Sequence, residues 1–187
     1  VPSINEITSG KNNISELQPI DIEDLLGRDL VETKENLLNS KIKQQIICII
    51  GGGGSIGSEL AKQISKKDFK KLIIVDQCEF NLYKTKENLN KSEENKNKIK
   101  YILGNATNKN FIENLFEKEN IDIVFHAAAY KHVPIVELNP VEGIFNNVFS
   151  TKVICEAVKT KNVKQLLFVS TDKAVRPTNI MGASKRL

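Results

Sequence analysis

From residue 46 onward, short runs of β-branched and other apolar residues alternate with longer stretches whose apolar positions recur at the spacing of one helix face. The runs QIICII (45–50), KLIIVD (71–76), IKYILG (99–104), DIVFHAA (122–128) and QLLFVS (165–170) have the length and composition of buried strands. Between them, helices are predicted to begin near Ser55, Glu79, Asn108 and Pro140. Strands separated by helical crossovers pair in parallel, and right-handed crossovers place helices on both faces of the sheet. The expected fold over residues 45–187 is therefore α/β, a doubly wound parallel sheet.

Residues 1–44 show no sustained period. SGKNN (9–13) reads as a turn cluster, DIEDLLGRD (21–29) as a short capped helical piece, and ETKENLLNSKI (32–42) as an amphipathic helix. Together they form an N-terminal helical arm leading into the domain. The Lys- and Asn-rich stretch NKSEENKNKIK (90–100) reads as a solvated helix end and loop before the third strand.

Composition narrows the picture only a little. The chain's 187 residues suit one domain with an appendage. Its 27 Lys+Arg against 23 Asp+Glu give a net charge of +4, spread along the chain without a basic stripe, so no nucleic-acid partner is expected. Cys48, Cys78 and Cys155 are odd in number, far apart and outside any metal-ligand spacing. Reduced thiols, a cytoplasmic setting and no metal site follow. No run approaches the ~18 apolar residues of a membrane span, and no signal-peptide pattern opens the chain. Because the sequence starts at Val1 and stops at Leu187 within a helical pattern, it is expected to be a piece of a longer protein. A membrane anchor elsewhere in that protein stays open.

The glycines after the first strand carry the first chemical signal. Gly52, Gly54 and Gly57 satisfy G-x-G-x-x-G, and Gly51, Gly54 and Gly57 satisfy the related G-x-x-G-x-x-G. The pattern follows a strand and opens a helix, the context that gives it meaning. A strand that turns sharply into a helix needs positive φ at some positions, and the helix start offers unpaired N–H groups and a positive dipole end to a pyrophosphate. Gly51, Gly54, Ser55, Ile56 and Gly57 are the expected cradle. Asp76 ends the next strand about twenty residues on, where a carboxylate accepts hydrogen bonds from an adenosine ribose. Gln77 and Cys78 follow, with no Arg or Lys to receive a 2′-phosphate, which favours NAD over NADP. A nucleotide-triphosphate loop is disfavoured, since Ser58 stands where its lysine is required.

Farther along the same edge, Asn105 in LGNAT either accepts from the adenine amino group, with Ala106 beside it, or is a plain turn residue. Ala127, Ala128 and Ala129 in HAAA leave the cofactor room to pass, whereas His126 reads as a buried, hydrogen-bonded histidine rather than a catalyst. Tyr130, Lys131 and His132 lie just past the fourth strand, where they can line a sugar pocket. Ser170, Thr171, Asp172 and Lys173 place two hydroxyls, a carboxylate and an ammonium at the end of the fifth strand, the edge where open α/β sheets bind ligands.

At this point the chain resembles the extended short-chain dehydrogenase/reductase superfamily, and within it the nucleotide-sugar 4,6-dehydratases of polysaccharide biosynthesis. GGGGSIGSEL, HAAAYKHVPIVELNPVE, NNVFST and STDKAVRPTNIMGASKR look like that family's blocks in the family's order. PIDIEDLLGRD resembles the segment that joins the catalytic domain to membrane-spanning helices in the long, membrane-tethered members. The likeness runs over most of residues 18–187. One departure is informative: the superfamily's Tyr-x-x-x-Lys is replaced by Met181-Gly182-Ala183-Ser184-Lys185. Methionine cannot titrate, so it cannot take the tyrosine's part in proton transfer. The long dehydratases are similar in carrying methionine there, and they retain configuration at sugar carbon 5.

The resemblance implies an NAD-dependent, redox-neutral lyase cycle on UDP-N-acetylglucosamine or a related UDP-sugar: hydride removal at C4, loss of water across C5 and C6, and hydride return to C6. It further implies that Asp172 protonates the leaving hydroxyl, Lys173 takes the C5 proton, Thr171 hydrogen-bonds the C4 hydroxyl, and Lys185 holds the nicotinamide ribose. Adjacent opposite charges keep Asp172 and Lys173 ionised, so burial of a closed site must oppose them. Asn147 counts with Lys131 and His132 among the expected substrate-binding residues, and its side chain either braces the active-site helix or bonds to water. The substrate lobe and sixth strand of the family are expected beyond Leu187, and a homo-oligomer is compatible with all of this. Two other readings stay open: a nucleotide-sugar epimerase on the same scaffold, and a non-catalytic NAD-binding module.

Overall fold

In the computed structural model, which describes residues 34–90 and 95–187, the apolar runs become β1 (Ile46–Ile50), β2 (Lys71–Asp76), β3 (Ile99–Leu103), β4 (Ile123–His126) and β5 (Gln165–Phe168). They pair in parallel in the order β3-β2-β1-β4-β5. β1 and β2 read as unbroken apolar runs because both of their faces are covered: residues 47–50 and 72–75 are no more than 1% exposed.

The helices are α1 (Glu35–Ile42), α2 (Ser55–Ser65), α3 (Glu79–Leu89), α4 (Lys109–Glu119), α5 (Val133–Leu138), α6 (Pro140–Ile144), α7 (Ser150–Thr160) and α8 (Ile180–Arg186), with a π-helical segment (Phe145–Phe149) joining α6 to α7. On one face of the sheet, Cys48, Ile50, Ile73 and Val75 pack against Ile112 and Phe116 of α4 and Ile154 and Ala157 of α7. On the other, Ile47, Ile49, Leu72 and Ile74 meet Ala61 and Ile64 of α2, Leu82 and Leu89 of α3, and Ile42 of α1. The doubly wound expectation holds.

Three local features add detail to the sequence reading. The described residues form a compact unit over Glu35–Leu187. α1 belongs to it, because Ile42 joins the core, Glu35 pairs with Lys67, and Gln44 just beyond the helix donates to Asp68 at 2.9 Å. SGKNN and DIEDLLGRD lie outside the described residues. Within 90–100, a 3₁₀ turn (Lys96–Lys98) entered through left-handed Asn95 leads into β3, and 91–94 lie outside the description. The helix expected near Pro140 is preceded by α5, and the chain breaks at Asn139 (φ −132°, ψ 60°). Proline has no N–H and pushes the residue before it out of the helical region.

β1 has β2 on one side and β4 on the other. The strand order therefore reverses at the C-terminal end of β1, where open sheets form a ligand crevice. Among the described residues, no helix is long and apolar enough to cross a membrane.

Candidate functional site

The turn after β1 is built from close backbone approaches. Gly51 has φ 84°, and a Cβ on it would lie 2.5 Å from the Ala128 amide nitrogen. Both Gly51 and Gly52 donate to the Val75 carbonyl at 2.9 Å, and Thr85 of α3 donates to the Gly52 carbonyl at 3.2 Å. α2 then begins at Ser55 behind Gly54, its N-cap, with no side-chain cap and no acidic residue in its first turn. Its leading N–H groups and the positive end of its dipole are left for an anion. The Lys131 ammonium stands 3.4 Å from the Ser55 hydroxyl, adding a cation beside this helix start.

Asp76 closes β2. One carboxylate oxygen accepts from Gly53 N–H and the other from Cys78 N–H, each at 2.8 Å. A carboxylate offers about four lone-pair sites, so two remain for the hydroxyls of a ribose.

A crevice of about 250 Å³ opens above these groups. Of the residues expected to hold a cofactor, Gly51, Gly54, Asp76, Asn105, Ala106, Ala127, Ala128 and Ala129 line it. Ser55, Ile56 and Gly57 do not; Ile56 is half-exposed, and at the start of α2 they can offer a ligand their backbone N–H groups, Ser55 its hydroxyl as well. The Asn105 oxygen already accepts from the Thr107 N–H (2.8 Å) and hydroxyl (2.9 Å), so the turn reading applies to that oxygen, and only its amide NH₂ is left to face an adenine. Sequence reasoning assigned no cofactor role to Cys78, Asn81, Tyr130 or Asn146, which also line the crevice. For Asn81, the available signal was its place in the first turn of the helix that follows Asp76.

A second crevice, of about 360 Å³, shares Ala129 and Tyr130 with the first and is lined mainly by apolar groups together with Lys131 and His132. Asn147 takes the bracing place among its expected readings, not the substrate-binding one. It is 1% exposed, and its side chain accepts from Tyr130 N–H (2.8 Å) and donates to the Tyr130 carbonyl (3.0 Å) and the Ser184 hydroxyl (2.9 Å). With its hydrogen-bonding capacity spent inside the protein, it braces rather than touches a substrate.

β5 leads into Thr171, Asp172 and Lys173. The Thr171 hydroxyl donates to Asp172 at 3.0 Å and accepts from Lys173 N–H at 3.3 Å, while the Lys173 ammonium lies 3.9 Å from the Asp172 carboxylate. Asp172 is fully exposed, and the Thr171 hydrogen bond, then the Lys173 charge, hold its carboxyl below the usual carboxylate range. A general acid requires the opposite direction. In the chain as it stands, the burial expected for this pair is missing, because no described residue covers it.

The turn packs on α8, where a Cβ at Gly182 would lie 2.2 Å from the Lys173 carbonyl oxygen. α8 is held at its start by Asn179, which caps Gly182 N–H at 2.7 Å, and by Glu137 of α5, which accepts from Ile180 N–H at 2.6 Å. Met181 is 3% exposed. Lys185 is half-buried rather than facing solvent. Its ammonium sits 4.3 Å from the Phe168 ring centroid, and burial brings its pKa down to about 8.

His126, 1% exposed at the end of β4, lies 3.1 Å through Nε2 from the Thr151 hydroxyl. Thr151 donates to the Asn147 carbonyl at 2.8 Å, so His126 Nε2 is the donor of that pair. Burial, helped by the Lys185 charge, lowers the His126 pKa to about 3 and keeps the ring neutral.

What this edge can hold is a dinucleotide: the close-packed glycine turn, the bare helix start and the carboxylate beside it fit a diphosphate and its ribose. Those features define a Rossmann-like α/β protein of the short-chain dehydrogenase/reductase type. Residues 47–187 match the polysaccharide biosynthesis protein family, and the chain belongs to it. It is 38% identical over 187 residues to the capsular polysaccharide biosynthesis protein CapD of Staphylococcus aureus, covering 100% of this chain and 31% of that protein. It is 34% identical over 141 residues to the inverting UDP-N-acetylglucosamine 4,6-dehydratase of Campylobacter jejuni, covering 74% of this chain and 40% of that enzyme. Among solved structures, the UDP-glucose 4-epimerase of Bifidobacterium longum in complex with NAD+ and UDP superposes with a TM-score of 0.64 at 25% identity, over 75% of this chain and 46% of that one. The chain thus spans less than half the length of these relatives.

Proposed function

We propose that this chain is the cofactor-binding part of an NAD-dependent nucleotide-sugar 4,6-dehydratase, a hydro-lyase acting on UDP-N-acetylglucosamine in surface polysaccharide biosynthesis. The crevice at the end of β1 would hold NAD, the start of α2 facing its diphosphate and Asp76 its adenosine ribose. When bound, it supplies reversible hydride transfer.

The chain's own residues manage the protons of the elimination step. Thr171, whose hydroxyl hydrogen is committed to Asp172, keeps oxygen lone-pair capacity to accept from the sugar's C4 hydroxyl. Lys173 takes the C5 proton and Asp172 delivers one to the C6 hydroxyl, which leaves as water. Both roles need the pair to be covered by the bound sugar nucleotide and by the part of the protein that closes over it, since desolvation raises a carboxyl's proton affinity and lowers an ammonium's. Lys185 holds the nicotinamide ribose, with Asn147 and Ser184 bracing its helix. Lys131 and His132 face the sugar nucleotide. The resemblance of residues 19–29 to the linker of membrane-tethered relatives supports a catalytic domain on the cytoplasmic side of a membrane.

The observation that carries this reading is the Asp172–Lys173 pair, 3.9 Å apart at the end of β5, on the same sheet edge as the dinucleotide crevice. Likeness to a UDP-glucose 4-epimerase favours a second reading, in which the hydride returns to C4 and no water leaves. Epimerisation has no leaving group to protonate and gives the acid of this pair no task. Mass spectrometry of UDP-N-acetylglucosamine incubated with NAD and the longest form of the protein that contains this chain separates the two. Loss of one water is expected, and a new sugar nucleotide of unchanged mass overturns the dehydratase reading.

A further inference from the structure

We propose that Gln77 and Tyr130 form a strap over the cofactor crevice that slows escape of the bound dinucleotide. The inference rests on the reading that this crevice holds NAD. β2 and β4 flank β1, so the residue directly after β2 and a residue just past β4 stand on opposite banks of the glycine turn. With parallel neighbours ~4.8 Å apart, those banks are about 10 Å from each other. Gln77 Nε2 closes the gap by donating to the Tyr130 hydroxyl at 3.2 Å, and both residues line the crevice. Gln77 is exposed and Tyr130 is 43% exposed, so the bridge runs on the solvent side, with Gly51 and Ala128 on the floor.

Each bank is fixed while its side chain can swing. Asn147 clamps both the N–H and the carbonyl of Tyr130, and Asp76 holds the Cys78 N–H that follows Gln77. Rotamer changes in two exposed side chains open the bridge without moving a strand, on a timescale far shorter than turnover. The cover suits the proposed chemistry. A hydride lent and returned within one cycle leaves the cofactor as it began, so nothing requires its release.

The test is the NAD dissociation rate, followed by displacing bound NAD with fluorescent NADH in the wild-type chain, Tyr130→Phe, Gln77→Ala and the double variant. Tyr130→Phe removes a single oxygen and keeps the ring. Losing one partly exposed hydrogen bond corresponds to about a three- to tenfold faster release in either single variant, and the double variant should release no faster than the singles. Unchanged release in both singles, or independent effects that multiply in the double, overturns the strap. Wild-type chain that binds no NAD at all overturns instead the cofactor reading beneath it.

Discussion

Replacing Gly57 by alanine sets two opposing effects against each other. Gly57 lies in the first turn of α2, and in a bare helix the change gains about 0.8–1 kcal/mol of propensity. In the fold, the new Cβ would sit 2.1 Å from the Gly51 carbonyl oxygen and 2.8 Å from both the Gly51 carbonyl carbon and Gly52 Cα. All three are backbone atoms of a turn pinned to Val75. Relief requires a shift of about 1 Å against backbone atoms that cannot turn aside, an overpacking in the upper part of the usual range, about 2–3 kcal/mol. The clash outweighs the propensity gain, and a net loss of about 1–2 kcal/mol lowers Tm by about 2–8 °C for a domain of this size. Gly54→Ala is the matched control. Its nearest neighbour, the Gly51 oxygen, lies at an acceptable 3.4 Å, and φ −73° suits alanine, so Tm should move by less than about 2 °C. Its methyl group, however, enters the crevice. Thermal unfolding with and without NAD reads both effects, since a ligand that binds only the folded state raises Tm. The NAD-induced rise should vanish in both variants, and intrinsic stability should fall only in Gly57→Ala. A Gly57→Ala chain with unchanged or higher Tm that still responds to NAD refutes the close-approach argument.

Two further outcomes follow from the buried groups. His126 refuses a proton until about pH 3, whereas the unfolded chain accepts one near 6.5. Its contribution to stability is therefore complete above pH 6.5 and drains away as pH falls toward 3. Urea unfolding should show wild type losing about 2 kcal/mol more than His126→Gln between pH 8 and pH 5, and equal losses would contradict the neutral, buried ring. Asn147→Ala leaves two main-chain groups of Tyr130 and the Ser184 hydroxyl without this partner. Stability should drop by about 2–4 kcal/mol by the same method, and a change under about 0.5 kcal/mol would show that the brace is idle.

The sheet was legible because strands covered on both faces leave unbroken apolar runs, and KLIIVD coincides with β2. The glycine turn was legible because positive φ and close approach admit one residue type. Other features left weaker marks. A π-helical segment is one extra residue in a helix and has no composition of its own, so the burial of Asn147 within it is invisible until the chain is folded. Gln77 and Tyr130 are 53 positions apart, and only the strand order brings them together. The sequence named Asp172 and Lys173, but their proton affinities depend on what covers them. That is a property of the surroundings and not of the pair.

Asn147 joins the two halves of the site. Through Tyr130 it anchors one post of the strap, and through Ser184 it holds the helix that carries Lys185. Its own carbonyl accepts from Thr151, which in turn accepts from His126. His126 lies 5.4 Å from the Phe168 ring, centroid to centroid, and Phe168 receives the Lys185 ammonium. The contacts close into a ring through β4, α7, α8 and β5, so the lysine cannot shift along its helix without disturbing the residue that fixes the crevice wall. A Lys–Tyr pair could tolerate some slack, because the tyrosine hydroxyl reaches out to the reacting atom. In the proposed dehydratase a buried methionine at 181 leaves Lys185 without that intermediary, and its placement falls to the Phe168 ring under its ammonium and to the Ser184–Asn147 bond that holds its helix.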